Sequence, residues 1–156
     1  FLRTIRFLQV RARLAGAPVV FVRHEGLRGH PAESRTPGWE IDERVAPVDG
    51  ELVVPKTSTD SFHQTRLHDE LQKRGVRHLV VVGCVTEFCI DTTVRRACTL
   101  GYDVTLASDG HTTFDATTDT LPPAPVRIRL FNDILSRLAH PDHATTVRPA
   151  EEIIFA

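Results

Sequence analysis

Apolar residues in this chain fall into short continuous runs, separated by longer stretches with an apolar position at every third or fourth residue. Continuous runs are typical of strands buried on both faces, and the longer spacing is typical of amphipathic helices. The runs predict strands at 18–23, 52–54, 79–82, 102–107 and 145–148. Because strands and helices alternate, we expect a parallel sheet covered on both faces, within a single α/β domain over residues 1–156.

Residues that favour helix ends lie at the ends of the predicted helices. Gly16, Gly75 and Gly101 are expected to end the first three helices, and Asp60 is expected to cap the second. The last helix should begin at two prolines and bury one apolar face, formed by Val126, Leu130, Ile134 and Leu138. A domain of this kind usually begins on a buried strand, whereas this chain begins on a helix. We therefore expect the sheet to lack its first strand in this sequence, with that strand upstream of Phe1.

Composition narrows the class of protein. The 156 residues carry a net charge of −1 and are 41% hydrophobic, so we expect neither nucleic acid nor a membrane as a partner. No apolar run approaches the roughly 18 residues of a membrane span, and no signal peptide is recognised. Cys84, Cys89 and Cys98 form one local cluster of odd number. This argues against a disulfide framework and favours a reducing, cytoplasmic location.

The segment 78–109 carries the strongest chemical pattern. A strand ends at Gly83, a short turn follows, and Cys89 lies where a helix begins. A helix N-terminus has unpaired N–H groups and a partial positive charge, which favour a thiolate and can bind an oxyanion. The alternative is an inert buried thiol, because free cysteine is among the most buried residue types. Ligands of parallel sheets bind beyond the carboxyl ends of the strands, where His24, Lys56 and Asp109 also lie.

These residues resemble a known family, the isochorismatase-like cysteine hydrolases. The resemblance rests on Lys56 after a strand, on Phe62, and on a motif of Gly83, Thr86 and Cys89 followed by Thr93 and Ala97 on a helix. It implies a three-layer α/β/α Rossmann-like fold and an Asp–Lys–Cys triad, with Cys89 as nucleophile and Lys56 as the lysine. It further implies a cis peptide between Cys84 and Val85 and an oxyanion site formed by the amides of Val85 and Cys89.

The implied activity is hydrolysis of the C–N bond of a small amide or carbamoyl compound through an acyl-enzyme. The family's aspartate lies at the end of the first strand, and no acidic residue of this sequence occupies that position. A catalytically silent binding or assembly module is therefore the alternative. A nicotinamidase is the weaker alternative, since its zinc site uses an Asp-x-His pair, whereas this chain has His24 between Arg23 and Glu25. We expect no metal and no cofactor.

Four residues are candidate substrate contacts, and three of them have an alternative role. Trp39 could cap the site or cover a subunit contact, because a homo-oligomer is expected. Phe62 could equally be part of the core, and Glu87 could face solvent. Thr86 is included because it belongs to the cysteine motif. Cys84 and Cys98 are expected to be small core residues.

Overall fold

The structure is a computed structural model and describes residues 1–116 and 118–155. Its strands are β1 (Val20–His24), β2 (Leu52–Lys56), β3 (His78–Cys84), β4 (Asp103–Thr112) and β5 (Thr145–Arg148). Its helices are α1 (Leu2–Leu14), α2 (Leu67–Lys73), α3 (Asp91–Thr99) and α4 (Ala124–Ser136). A π-helical turn over Thr86–Ile90, named the cysteine turn because it contains Cys89, lies directly before α3. Short 3₁₀ turns occupy Glu43–Val45 and Ala150–Glu152.

All strand pairs are parallel. β1 pairs with β2, and this register brings His24 opposite Lys56 at the carboxyl end of both strands. β4 pairs with β3 on one side and with β5 on the other. Parallel strands of this kind place all their carboxyl ends at the same edge of the sheet, where ligands bind in α/β folds.

Helices cover both faces of the strands. On one face, α2, α3 and α4 contribute Leu71, Val94 and Leu135 to the larger apolar core. On the other face, Leu8 of α1 packs with Ala107 of β4 and with residues near the C-terminal 3₁₀ turn. β3 has side chains in both layers, since Val81 faces the first core and Val82 the second. The predicted three-layer α/β/α fold is therefore confirmed.

The sheet is interrupted between β1 and β3. The described strands form a two-stranded sheet, β1–β2, and a three-stranded sheet, β3–β4–β5, with no ladder joining them. A cavity of about 430 Å³ lies between the facing edges and is lined by both strands and by α1. This space, here named the slot, is at an inner position of the strand order. The sequence predicts an absent inner strand, and the interruption lies at such a position.

Two predicted boundaries are wrong for local reasons. α2 begins at Leu67 and not near Asp60, because Gln64 has a φ of 53°, which an α-helix cannot accommodate. The Asp60 carboxylate instead accepts a hydrogen bond from the Phe62 amide (2.8 Å) in a turn. β4 continues to Thr112, well into the predicted loop, because after a register shift β3 pairs again with His111 and Thr112.

The buried face of α4 also differs from the prediction. Val126 and Leu130 are exposed, whereas Ala124, Arg127 and Leu135 are buried. The helix is rotated so that a charged side chain enters the interior, which hydrophobic spacing cannot predict. None of the helices in residues 1–116 and 118–155 combines the length and apolar character needed to cross a membrane.

We predict that the two edges of the slot exchange their amide hydrogens faster than the centre of the three-stranded sheet. Amides of β1 and β3 that point into the slot have no ladder partner, whereas β4 is paired on both sides. Hydrogen exchange of this chain, resolved by residue with NMR, measures the difference. β4 is the internal control, and equally slow exchange along β1, β3 and β4 would contradict the interruption.

Candidate active site

The ammonium of Lys56 and the sulfur of Cys89 are in direct contact. Lys56 is the last residue of β2, and its Nζ donates hydrogen bonds to Cys89 Sγ (3.1 Å) and to the carbonyl of Ser58 (2.6 Å). Lys56 is only 5% exposed, which is rare for a lysine, while Cys89 is half-buried. The structure therefore places the nitrogen of a buried lysine directly against the sulfur of Cys89.

The cysteine turn owes its shape to the residues just before it. Gly83 has a φ of 132°, a value that residues with a side chain rarely adopt, and the peptide bond between Cys84 and Val85 is cis. The Val85 carbonyl then accepts hydrogen bonds from the amides of Phe88 and Ile90, both at 3.1 Å. The chain therefore curls around this carbonyl. Cys89 is the residue between the two donors, and its side chain contacts Lys56.

The slot is continuous with this contact. Lys56, Cys89 and Phe62 all line it, and Phe62 also belongs to the larger core. The hydroxyl groups of Ser61 and Thr93 also line the slot. Thr93 of α3 donates to Ser61 Oγ (2.9 Å) and accepts from the Ser61 amide (3.2 Å). The cysteine motif includes Thr93, whereas Ser58 and Ser61 belong to no motif in the sequence that would have predicted them.

The side chains of Thr86 and Glu87 point away from the slot. Thr86 is fully buried and is hydrogen-bonded to His111 (2.9 Å), and Glu87 is hydrogen-bonded to Thr113 (2.7 Å) and paired with Arg127. Neither lines the cavity, and both side chains instead bond to residues after β3 in the chain, so contact of either with substrate stays a prediction. Burial acts to raise the pKa of Glu87, but the bonds from Thr113 and Arg127 outweigh it and lower the pKa.

The hydrogen bonds of His111 to Asn132 and Thr86 fix the tautomer of its ring. Asn132 donates from its amide nitrogen to the Ser108 carbonyl (3.0 Å), so its oxygen accepts from His111 Nε2 (2.9 Å). The other ring nitrogen of His111 therefore accepts the hydroxyl proton of Thr86. Burial lowers the pKa of His111, which keeps the ring neutral in this network.

Trp39 does not line the slot either. The guanidinium of Arg23 lies 3.4 Å from the centre of its ring, and Glu25 beside them accepts a hydrogen bond from Ser34 (2.7 Å). This cation–π contact ties the long loop after β1 to β1 itself, and contact of Trp39 with substrate stays a prediction.

His24 approaches Lys56 from the neighbouring strand. Burial lowers the pKa of His24, and the charge of Lys56 lowers it further. His24 and His30 have ring centres 5.0 Å apart. No group of three or more metal-binding side chains is found in residues 1–116 and 118–155.

The other two cysteines differ from each other. Cys98 is buried, as expected, with its sulfur 2.8 Å from the Thr145 hydroxyl. Cys84 is exposed on the wall of the slot, so its assignment to the core is wrong: β3 ends there and no strand covers it. The protein atoms around the slot desolvate Cys84 and raise the pKa of its thiol, and the neighbouring Cys89 adds to the increase.

Comparisons with known proteins identify the family of this chain. The Isochorismatase domain family matches residues 1–121. A streptothricin hydrolase of Streptomyces noursei is 41% identical over 128 residues, which are 79% of this chain and 51% of the relative. The ureidoacrylate amidohydrolase RutB of Variovorax paradoxus is 38% identical over 74 residues, 46% of this chain and 29% of the relative.

A solved structure supports the same assignment. The crystal structure of an isochorismatase from Pseudomonas putida KT2440 superposes with a TM-score of 0.87 at 30% identity, covering 97% of this chain and 76% of that one. The chain spans about half the length of the curated relatives it matches. Because the family match covers most of the chain and includes the strand, turn and helix around Cys89, the chain belongs to the isochorismatase family.

Proposed function

We propose that this chain is a cysteine-nucleophile hydrolase that cleaves the C–N bond of a small amide or carbamoyl compound. The observation that carries the proposal is the contact of 3.1 Å between Lys56 Nζ and Cys89 Sγ at the edge of a cavity. An ammonium beside a half-buried thiol supplies the ionised sulfur that nucleophilic catalysis requires. The names of the relatives, a streptothricin hydrolase and a ureidoacrylate amidohydrolase, support hydrolysis of such compounds.

The proposed reaction proceeds in two steps through a thioester. The Cys89 thiolate attacks the carbonyl carbon, and the amides of Val85 and Cys89 are the proposed donors to the oxyanion. The C–N bond then breaks, and the proton lost from the thiol is the one that the departing nitrogen needs. Water hydrolyses the thioester and restores the thiol, so the overall reaction consumes only water. Lys56 remains charged and stabilises the sulfur in its anionic form.

A silent binding module is the second candidate, and one observation favours it. No carboxylate in residues 1–116 and 118–155 forms a salt bridge with Lys56, although the resemblance implies an acidic third member of the triad. A chain without such a carboxylate lacks the residue that the resemblance implies as the base for the thiol proton. A single domain, a homo-oligomeric assembly and a cytoplasmic location remain predictions.

We predict that substitution of Cys89 or Lys56 removes hydrolysis without unfolding the chain. Cys89→Ala should abolish ammonia release from amide and carbamoyl compounds, because it removes the proposed nucleophile. Lys56→Met should lower kcat by about 100-fold, a usual loss when one charged stabilising group is removed. Release of ammonia is measured, with circular dichroism as the check on folding.

Cys84→Ser is the matched control for this experiment, since Cys84 lines the same slot but Lys56 donates its hydrogen bond to the sulfur of Cys89. It should retain turnover. If the unsubstituted chain binds such compounds but releases no ammonia, the silent module is the better description. Equal activity of Cys89→Ala and Cys84→Ser would contradict the proposal outright.

We also predict that iodoacetamide alkylates the three thiols in the order Cys89, Cys84, Cys98. Cys89 faces an ammonium, Cys84 is exposed but has a raised pKa, and Cys98 is buried. Because only the thiolate reacts, a raised pKa leaves Cys84 protonated at neutral pH, and its labelling should increase as the pH becomes alkaline. Mass spectrometry of the digested protein measures each rate. Uniform labelling of all three thiols at neutral pH would contradict the proposed role of Cys89.

A further inference from the structure

The guanidinium of Arg127 is buried within the protein and fully hydrogen-bonded. Arg127 is 3% exposed and projects from the first turns of α4 toward the cysteine turn. A guanidinium has five N–H groups, and in this structure each of them has an acceptor. The acceptors are Glu87 Oε1, Thr113 Oγ1 (3.1 Å) and the carbonyls of Phe114, Ala116 (3.1 Å) and Pro122 (3.0 Å).

This set of partners joins three parts of the chain. Glu87 belongs to the cysteine turn, Thr113 to the start of the loop after β4, and Arg127 to α4. The Thr113 hydroxyl also donates to Glu87 Oε1 (2.7 Å), so carboxylate, hydroxyl and guanidinium form a closed triangle. Lysine could not replace Arg127 here, because one ammonium cannot reach five acceptors arranged around a plane.

A second connection from the same helix reaches the adjacent residue. Asn132 of α4 binds His111, which in turn accepts the hydroxyl proton of Thr86. α4 therefore holds two consecutive residues of the cysteine turn, Thr86 and Glu87, through two independent networks. One attachment would let the turn pivot about that point, whereas two adjacent attachments fix its rotation.

We propose that Arg127 is a positioning residue for the nucleophile, acting through Glu87 to fix the rotation of the cysteine turn so that Cys89 Sγ faces Lys56. Glu87 is two residues before Cys89 in the same turn, so a rotation of the turn about Glu87 also moves the Cys89 sulfur. This inference rests on the proposed function for its kinetic consequence. It deepens that function by assigning the orientation of the thiol to a residue outside the slot.

The test compares Arg127→Met with Arg137→Met. Arg137 directly follows the same helix and pairs with its Asp133, but both side chains are exposed to solvent, so it is a matched control for the loss of an arginine. Glu87→Gln is the second test variant, because it keeps the shape of the side chain and removes only the charge that binds Arg127. Thermal unfolding of every variant is recorded, and all rates are measured well below each transition.

Two rates are read for each variant: alkylation of Cys89 relative to Cys84, and ammonia release as kcat and KM. For Arg127→Met we expect the alkylation ratio to fall at least about 10-fold and kcat to fall about 10- to 100-fold, because a displacement near 1 Å at a reacting atom costs up to that factor. KM should stay within about twofold, since the slot itself is unchanged. Glu87→Gln should move both rates in the same direction, and Arg137→Met neither.

The outcomes separate this inference from the proposed function. If the unsubstituted chain labels Cys89 no faster than Cys84 and releases no ammonia, both proposals fail. If the unsubstituted chain is selective and Arg127→Met or Glu87→Gln keeps the same ratio and kcat, only the positioning role is overturned. If Arg127→Met does not fold, Glu87→Gln alone decides, because an effect on melting temperature without an effect on the ratio indicates a merely structural pair.

Discussion

The proposed chemistry depends on the contact between the Lys56 ammonium and the Cys89 sulfur. Lys56 belongs to the two-stranded sheet, and Cys89 follows the three-stranded sheet, so this contact bridges two groups of strands that share no ladder. A buried lysine is tolerated only where its charge meets acceptors, and here these are a sulfur and one carbonyl. The register of β1 against β2 and the curl of the cysteine turn are the two local structures that bring the pair together.

The two groups of strands are otherwise joined by side-chain packing. Val22 of β1 and Val81 of β3 both contact the core formed with α2 and α3, which lies across the interruption of the sheet. The helices therefore act as the common support for two sheet fragments. Packing of this kind fixes the distance between fragments less strictly than a hydrogen-bonded ladder would, because dispersion contacts have no preferred direction. The geometry at Cys89 consequently depends on α3 and α4 as much as on the strands.

The sequence was sufficient for the parts of the fold that follow from hydrophobic spacing and chain direction. Lys56 and Cys89 were expected near each other because parallel strands end at one edge, and the structure places them there. The buried face of α4 could not be predicted, since Val126 and Leu130 have the right spacing but Arg127 enters the interior instead. The carbonyls of Phe114, Ala116 and Pro122 accept hydrogen bonds from Arg127, and this pairing leaves no pattern in the sequence. The bonds of Thr86 and Glu87 leave no pattern either, because their partners are distant in the chain.

Gly83 shows how a backbone requirement differs from a packing requirement. An added methyl group at this position would lie 3.6 Å from Ile90, an ordinary contact, so space does not exclude a side chain. The obstacle is the φ of 132°, which belongs to the half of conformational space open to residues of the opposite chirality. Handedness, and not size, is therefore what restricts this position to the one achiral amino acid that the genetic code provides.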